Sequence, residues 1–400
     1  MEIENEKRKK MWAGRIDNNR SGFDKLLEKN HTIEKSNSDS VIGIFMNPTG
    51  NYHMPVKYFL ESNGYAGKTF MTDARKTEHL RMVTNLGKEK SDPEDAHILA
   101  GLPWNDENYG KKKGHVRSPL SDLTRLRESI NASITRIKNF IAADLAAVFP
   151  EFLTEFSLES KTAQVLLDKY TTPVKISKLS PVVLGRIMKR SSRNHSCKKD
   201  AENLIRMASE SIGIPDKDNM FTIRIRTNIR RLREEYTSLK ELDSNIGNRS
   251  SSNEDIRNLT ALKGIGIVNA AAIVSEIGDI GQFDSAVKLQ SYSGKCPDMT
   301  GSGGKVFAKK LTKIRNPHLS HAVHESAISL VMHKNNEFYN LFNRELKKNK
   351  PKTEAYIVVG KRLVSHVFSM MKNNKPYKER IPGKVLVNDK RGRGSVPVQT

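Results

Sequence analysis

Ser40–Gly50 reads SVIGIFMNPTG. Ser40 to Met46 is an apolar run rich in β-branched and aromatic side chains, and Asn47-Pro48-Thr49-Gly50 closes it with a turn signal, so the run reads as a buried strand. Downstream, Val56, Phe59 and Leu60 belong to a short helix, and Gly67 to Met71 reads as a second strand. A basic stretch from Arg75 to Lys90 then leads into a helix that starts at Asp92. Strand, helix, strand, helix is the pattern of an α/β layer around a mostly parallel sheet. Upstream, residues 1–38 are polar and helix-leaning.

Beyond this layer the hydrophobic period changes. Leu123, Leu126, Ile130, Ile134, Ile137, Ile141 and Leu145 step by threes and fours, which is a seam for helix pairing. Ile225, Ile229, Leu232, Tyr236, Leu239, Leu242 and Ile246 form a second seam. Two long helices so separated predict an antiparallel arm with a smaller helical piece between them. Residues 247–254 (GNRSSSNE) read as a polar linker into a third, mainly helical domain that runs to about Tyr377, followed by a basic tail. The expected divisions are 1–115, 116–248, 249–385 and 386–400.

The chain has 400 residues, enough for two or three cores. No apolar run approaches the roughly 20 residues of a membrane span, and the charged N-terminus has no apolar segment of the secretory kind. Two cysteines, Cys197 and Cys296, make neither a disulfide framework nor a zinc cage, which fits a reducing cytoplasm. Lys and Arg total 68 against 45 acids, a net charge of +23. Such an excess points to a polyanion, because every phosphate neutralised releases condensed counterions. No dominant basic amphipathic segment argues for a membrane surface instead.

Four segments carry candidate chemistry. In Leu262-Lys263-Gly264-Ile265-Gly266-Ile267, two glycines form a tight turn whose amides open the next helix. Amides and helix dipole there hold a phosphate without reading bases, the helix-hairpin-helix pattern, and Lys263, Gly264 and Gly266 are the expected DNA contacts. A plain helix–helix turn also uses glycine for positive φ; the charge of the chain favours the DNA reading. In Lys90-Ser91-Asp92-Pro93-Glu94-Asp95, Asp92 and Asp95 share a helix face and are able to hold Mg²⁺. An ordinary helix start, with Asp92 as N-cap and Pro93 at N1, explains them locally without a metal. Gly294 to Lys305 is a glycine-rich, lysine-flanked loop in which Ser302 is placed to attack a phosphodiester, although Ser-Gly clusters are usually only loops. Finally, His318, His321 and His324 step by three along one helix, and lacking any zinc-type spacing they read as a solvated face, not a metal site.

Together these pieces resemble one family, the DEDD/serine insertion-sequence transposases (the "IS one-ten" family, relatives of the pilin-gene invertases). The resemblance runs from about Arg15 to about Tyr377 through NPTGNYHMPV, FLESNGY, KSDPEDAHILA, RSPLSDLTRLRESI, VFPEF, LTALKGIGIVNAAAIVSEIGDIGQF, SYSGKCP, SGG and KIRNPHLSHAV. It implies an RNase H-like domain of the Holliday-junction-resolvase type, a helical arm for homo-oligomerisation (dimer or tetramer), and a C-terminal domain with a nucleophilic serine. It implies DNA recombination with Mg²⁺ held by four acids, often with a structured non-coding guide RNA, in a prokaryotic cytoplasm near the nucleoid. On that pattern Asp92 and Asp95 match the last two acids and Ser302 the serine. Lys305 and Lys313 are further expected DNA contacts.

The sequence also departs from the pattern. Asn47 stands where the family has an acidic Glu. The opening strand of the GID kind has no counterpart, since Arg15-Ile16-Asp17-Asn18-Asn19 resembles a later segment, and the chain is expected to begin after that strand. Leu319-Ser320 stands where the family usually has Leu-Arg. A two-metal site needs several carboxylates, so weak Mg²⁺ binding and impaired cleavage are expected, with DNA binding retained. A non-catalytic DNA- or RNA-binding relic or regulator is the alternative, and a helical scaffold whose charge is incidental is a third.

Overall fold

The computed structural model describes residues 2–4, 10–36, 42–47, 51–72, 77, 91–105, 118–192, 198–302, 305–311, 315–334 and 336–377; at 2, 4, 10, 102–105, 198, 199, 297–302 and 305–311 only the backbone is described. Cys197, Lys313, the tail 386–400 and most of the Arg75–Lys90 stretch lie outside these residues. The chain is mostly helical and divides into two units. The first is Met1–Arg117 with Gly278–Asp284, and the second is Ser118–Ile277 with Ser285–Thr400.

In the first unit, β1 (Glu2–Glu4) and β2 (Lys10–Ala13) pair antiparallel, with Ile3 opposite Trp12. This corrects the helix-leaning reading of residues 1–38 at 2–4 and 10–13 only, since residues 20–36 are helical. Strands this short offer no period to read, and cross-strand pairing decides them. Then come α1 (Arg20–Ser36), β3 (Ile44–Met46), α2 (His53–Leu60), β4 (Thr69–Met71) and α3 (Asp92–Asn105). β3 and β4 pair in parallel, Phe45 opposite Phe70, and the two rings stack at 5.1 Å. The expected parallel layer is therefore present as one small pair. Its core is Leu26, Ile44, Leu60 and Tyr65, with Phe23 on Phe59 at 5.3 Å. The cap of α3 lies one residue earlier than read, because the Ser91 carbonyl accepts the Asp95 N–H; such ends shift by a residue or two.

In the second unit, α4 (Pro119–Val148) starts as Ser-Pro predicts: Ser118 caps it by accepting the Ser121 N–H, and Pro119 fills the first turn. α4 pairs with α10 (Met220–Ser250). Arg127 meets Asp243, Ser133 meets Glu235 and Asp144 meets Arg224, so the partner number falls as the first rises and the pair is antiparallel. Between them lie α5 (Phe152–Glu155), α6 (Lys161–Tyr170), α7 (Pro173–Ser177), α8 (Pro181–Ser191) and α9 (Lys198–Ser209). One continuous core joins them, from Ile134 through Phe149, Leu166 and Leu184 to Ile229.

Two expectations about the arm change. Leu126 is 51% exposed, and the buried face of the first turns of α4 is Ser121 and Thr124. A straight helix drifts against a strict seam, so the seam rotates away. The expected linker also begins later: α10 continues to Ser250, because Ile246 and Ser250 remain fully buried and Gly247 has open space around it.

After α10 come α11 (Glu254–Thr260), α12 (Ile267–Ile277) and α13 (Ala286–Tyr292). β5 (Pro297–Ser302) pairs antiparallel with β6 (Lys305–Leu311), and α14 (Pro317–Met332), α15 (Glu337–Leu346) and α16 (Lys352–Asn373) complete the unit. The glycine-rich stretch read as a loop is thus mostly hairpin. The missed signal was Gly303-Gly304 between runs with β-branched and aromatic residues, a two-residue hairpin spacing.

Candidate functional sites

Asn47 follows β3 directly. Its Oδ1 accepts from the hydroxyls of Thr72 and, at 3.0 Å, Thr77. Thr72, just past β4, also gives its N–H to the Met46 carbonyl at 2.8 Å, and both threonines are buried. α3 packs on β3, which brings the helix bearing Asp92 and Asp95 beside the strand that leads into Asn47. Asp92 is exposed and Asp95 half-buried.

In the second unit the glycine turn lies between α11 and α12, as read. Gly264 has φ +112°, and a Cβ there would stand 2.8 Å from the His333 ring and 3.3 Å from Leu330 Cα. Its carbonyl accepts from the Ser329 hydroxyl at 2.5 Å. Gly264 therefore seats the turn on α14. Gly266 is exposed with nothing within 4 Å of a Cβ position, and Lys263 is exposed. The two glycines differ: one is required by backbone and packing, the other leaves the helix start open.

Ser302 ends β5 opposite Lys305, at the tip of the hairpin. The three histidines do not converge. His318 Nδ1 meets Glu128 Oε2 at 2.6 Å, while His324 sits edge-on to Tyr356 at 6.0 Å. Among the described residues no group of three or more His, Cys, Asp or Glu is placed to hold a metal.

Sequence reading missed a buried polar junction. Glu276, 1% exposed, accepts from Arg125 and from Asn316 Nδ2 at 2.7 Å, and Asn316 also caps α14. Burial alone would raise the Glu276 carboxyl, but Arg125 and then Asn316 hold it below the usual range. A cleft of about 80 Å³ opens beside it, lined by Glu128, Asn131, Asn269, His321 and Glu325 among others. No local pattern pairs residues 151 positions apart. Lys295 was missed too. It is 5% exposed, Nζ donates to the Ser320 carbonyl at 3.1 Å, and burial, with the Arg315 charge adding, pulls its ammonium down to about 8.

A family model for the DEDD transposases of IS110 matches residues 1–150, and a second, described as Transposase IS116/IS110/IS902 family, matches 256–343. The chain belongs to the IS110 family of transposases. It is 22% identical over 325 residues to the insertion element IS110 uncharacterized 43.6 kDa protein of Streptomyces coelicolor, covering 76% of this chain and 77% of that one. It is 24% identical over 251 residues to the mini-circle putative transposase for IS117 of the same organism, covering 60% and 61%. The transposase for insertion sequence element IS1111A of Coxiella burnetii is 28% identical over 109 residues, covering 26% and 30%.

DEDD transposases of this family typically use divalent metal ions. The described residues of this IS110-family transposase do not fit such a pair. At the position of the expected Glu, the Asn47 carbonyl oxygen is uncharged and already accepts two hydroxyl protons. Two carboxylates on one helix turn do not clamp two dications. No helix of the described residues is long and apolar enough to cross a membrane.

Proposed function

We propose that this IS110-family transposase binds DNA through the open helix start at Gly266 with Lys263, Lys305 and Lys313, and that its metal-dependent cleavage is impaired. The observation that carries the impairment is the capture of Asn47 Oδ1 by Thr72 and Thr77. DNA binding rests on other residues in the second unit and is retained. Ser302 is the nucleophile of strand exchange. Its Oγ bonds to a backbone phosphorus, the bond from phosphorus to the leaving sugar oxygen breaks, and the serine proton ends on that oxygen. Asp92 and Asp95 are the remainder of the Mg²⁺ set, and the arm mediates homo-oligomerisation. The alternative, a non-catalytic DNA- or RNA-binding regulator, is favoured by the same Asn47 contacts.

The purified chain and its Ser302→Ala variant, incubated with supercoiled donor plasmid and Mg²⁺, decide between these. The expected result is equal DNA binding by both, with weak Mg²⁺-dependent nicking by the parent that Ser302→Ala lacks; equal, background-level nicking by both would leave the non-catalytic regulator. A Mg²⁺-dependent protein–DNA adduct formed in high yield by the parent and absent from Ser302→Ala would overturn the impairment and keep the serine. Absence of binding at low salt would overturn the DNA reading.

A further inference from the structure

On α10, Arg226, Arg230 and Arg233 recur at helical spacing on one face, against α6. All three converge on one carboxylate, Asp168. Arg233 Nη1 bonds Asp168 Oδ2 at 2.8 Å, and its Nη2 bonds the Gln164 carbonyl at 2.7 Å. Arg230 Nε lies 3.9 Å and Arg226 Nε 4.0 Å from Oδ1, outside hydrogen-bond reach. Arg226 Nε is buried and has no hydrogen-bond partner among the described residues. The side chains remain open to solvent, at 43% for Arg226, 63% for Arg230 and 36% for Arg233.

One negative charge thus faces three positive ones, and Arg233 takes it geometrically. Arg226 and Arg230, four residues apart, are left as like charges on one helix face, which disfavours the helix by a small amount. The core residues of this part of α10 are Ile225, Ile229 and Leu232, not these arginines. The adjacent Arg224 is different, because it is compensated by Asp144 at 2.8 Å.

We infer that Arg226 and Arg230 form a second phosphate-binding site, on the arm, that takes the sugar–phosphate backbone of a nucleic-acid duplex. Asp168 holds Arg233 as the fixed wall of the site, and the two outer guanidiniums reach the phosphates. Guanidinium forks suit phosphate oxygens, and contacts of this kind position a duplex without reading its sequence. The inference rests on the nucleic-acid reading above but on different residues.

The test uses the full chain, a labelled short DNA duplex and an RNA hairpin with the same stem sequence, each titrated across a range of salt. Arg226→Gln/Arg230→Gln is expected to flatten the plot of log affinity against log salt by about two units on the duplex that occupies the arm. Loss on the RNA probe alone, the DNA probe alone, or both identifies the source of the phosphates. Asp168→Asn, which keeps an acceptor for Arg233, is expected to tighten binding to the same probe, an effect that a damaged fold does not give. Slopes unchanged on both probes overturn the site, as does weaker binding by Asp168→Asn. If Lys263→Gln flattens the slope and the arginine pair does not, the arm site alone is wrong. If the parent binds neither probe, both readings fail.

Discussion

Arg125 on α4 grips Glu276 on α12 with two bonds, Nε to Oε1 at 2.5 Å and Nη2 to Oε2 at 2.7 Å. The pair ties the long arm to the helix that follows the glycine turn, and Asn316 extends it to the cap of α14. Removing one partner leaves a buried carboxylate without its cation. Arg125→Ala is expected to cost about 3 kcal/mol or more in urea unfolding, and Arg125→Met/Glu276→Gln much less. The folded carboxyl lies below its ordinary value, so its stabilisation is present above the ordinary carboxylate range and fades as pH falls through the lowered value. A double variant as unstable as the single would contradict this.

Lys295 gives the opposite sign. Its folded value of about 8 lies below the ordinary 10.5, so folding disfavours the protonated form. The penalty is fully present below pH 8 and disappears as pH rises toward 10.5. Lys295→Met, which keeps the buried stem, is expected to stabilise the chain at neutral pH by up to about 3 kcal/mol. The gain should shrink steadily in alkaline buffer. Thermal melts of both chains across that range check it; a gain independent of pH would place its origin in packing.

The two turn glycines separate stability from binding. Gly264→Ala meets a positive φ and the His333 ring, and is expected to cost about 2 kcal/mol. Gly266→Ala meets nothing and should change stability by no more than about 0.5 kcal/mol. If a phosphate approaches the helix start at Gly266, that variant nonetheless weakens duplex binding, measured by anisotropy. Wild-type affinity in Gly266→Ala removes the turn from the interface.

These contrasts show what a sequence displays. The antiparallel arm was legible because Ile134 to Leu145 and Ile225 to Ile246 repeat at helical period over many turns. The glycine turn was legible because positive φ has few residue solutions, although only the packing of α14 against Gly264, and not sequence, separates Gly264 from Gly266. β1 and β2 were illegible, since three- and four-residue strands are chosen by their partner, as Ile3 and Trp12 show. Glu128 beside His318 and the arginines around Asp168 depend on tertiary packing of residues 190 and about 60 positions apart, beyond any local pattern.

Asn47 offers a direct test of the altered carboxylate site. Its Oδ1 is held by two hydroxyl donors, and a carboxylate at that position would receive the same protons and carry the charge a dication needs. Thr77→Val removes one donor from a half-buried acceptor and is expected to cost about 1 kcal/mol. Asn47→Glu places a longer, charged group beside the helix of Asp92 and Asp95. Binding to the folded state alone at a hundredfold excess over Kd stabilises by about 2.7 kcal/mol. The melting temperature of the parent is therefore expected to be insensitive to millimolar Mg²⁺, and that of Asn47→Glu to rise with it. A parent that is stabilised by Mg²⁺ as strongly as the variant would mean that the threonine contacts yield to a metal, and that Asn47 is no barrier to it.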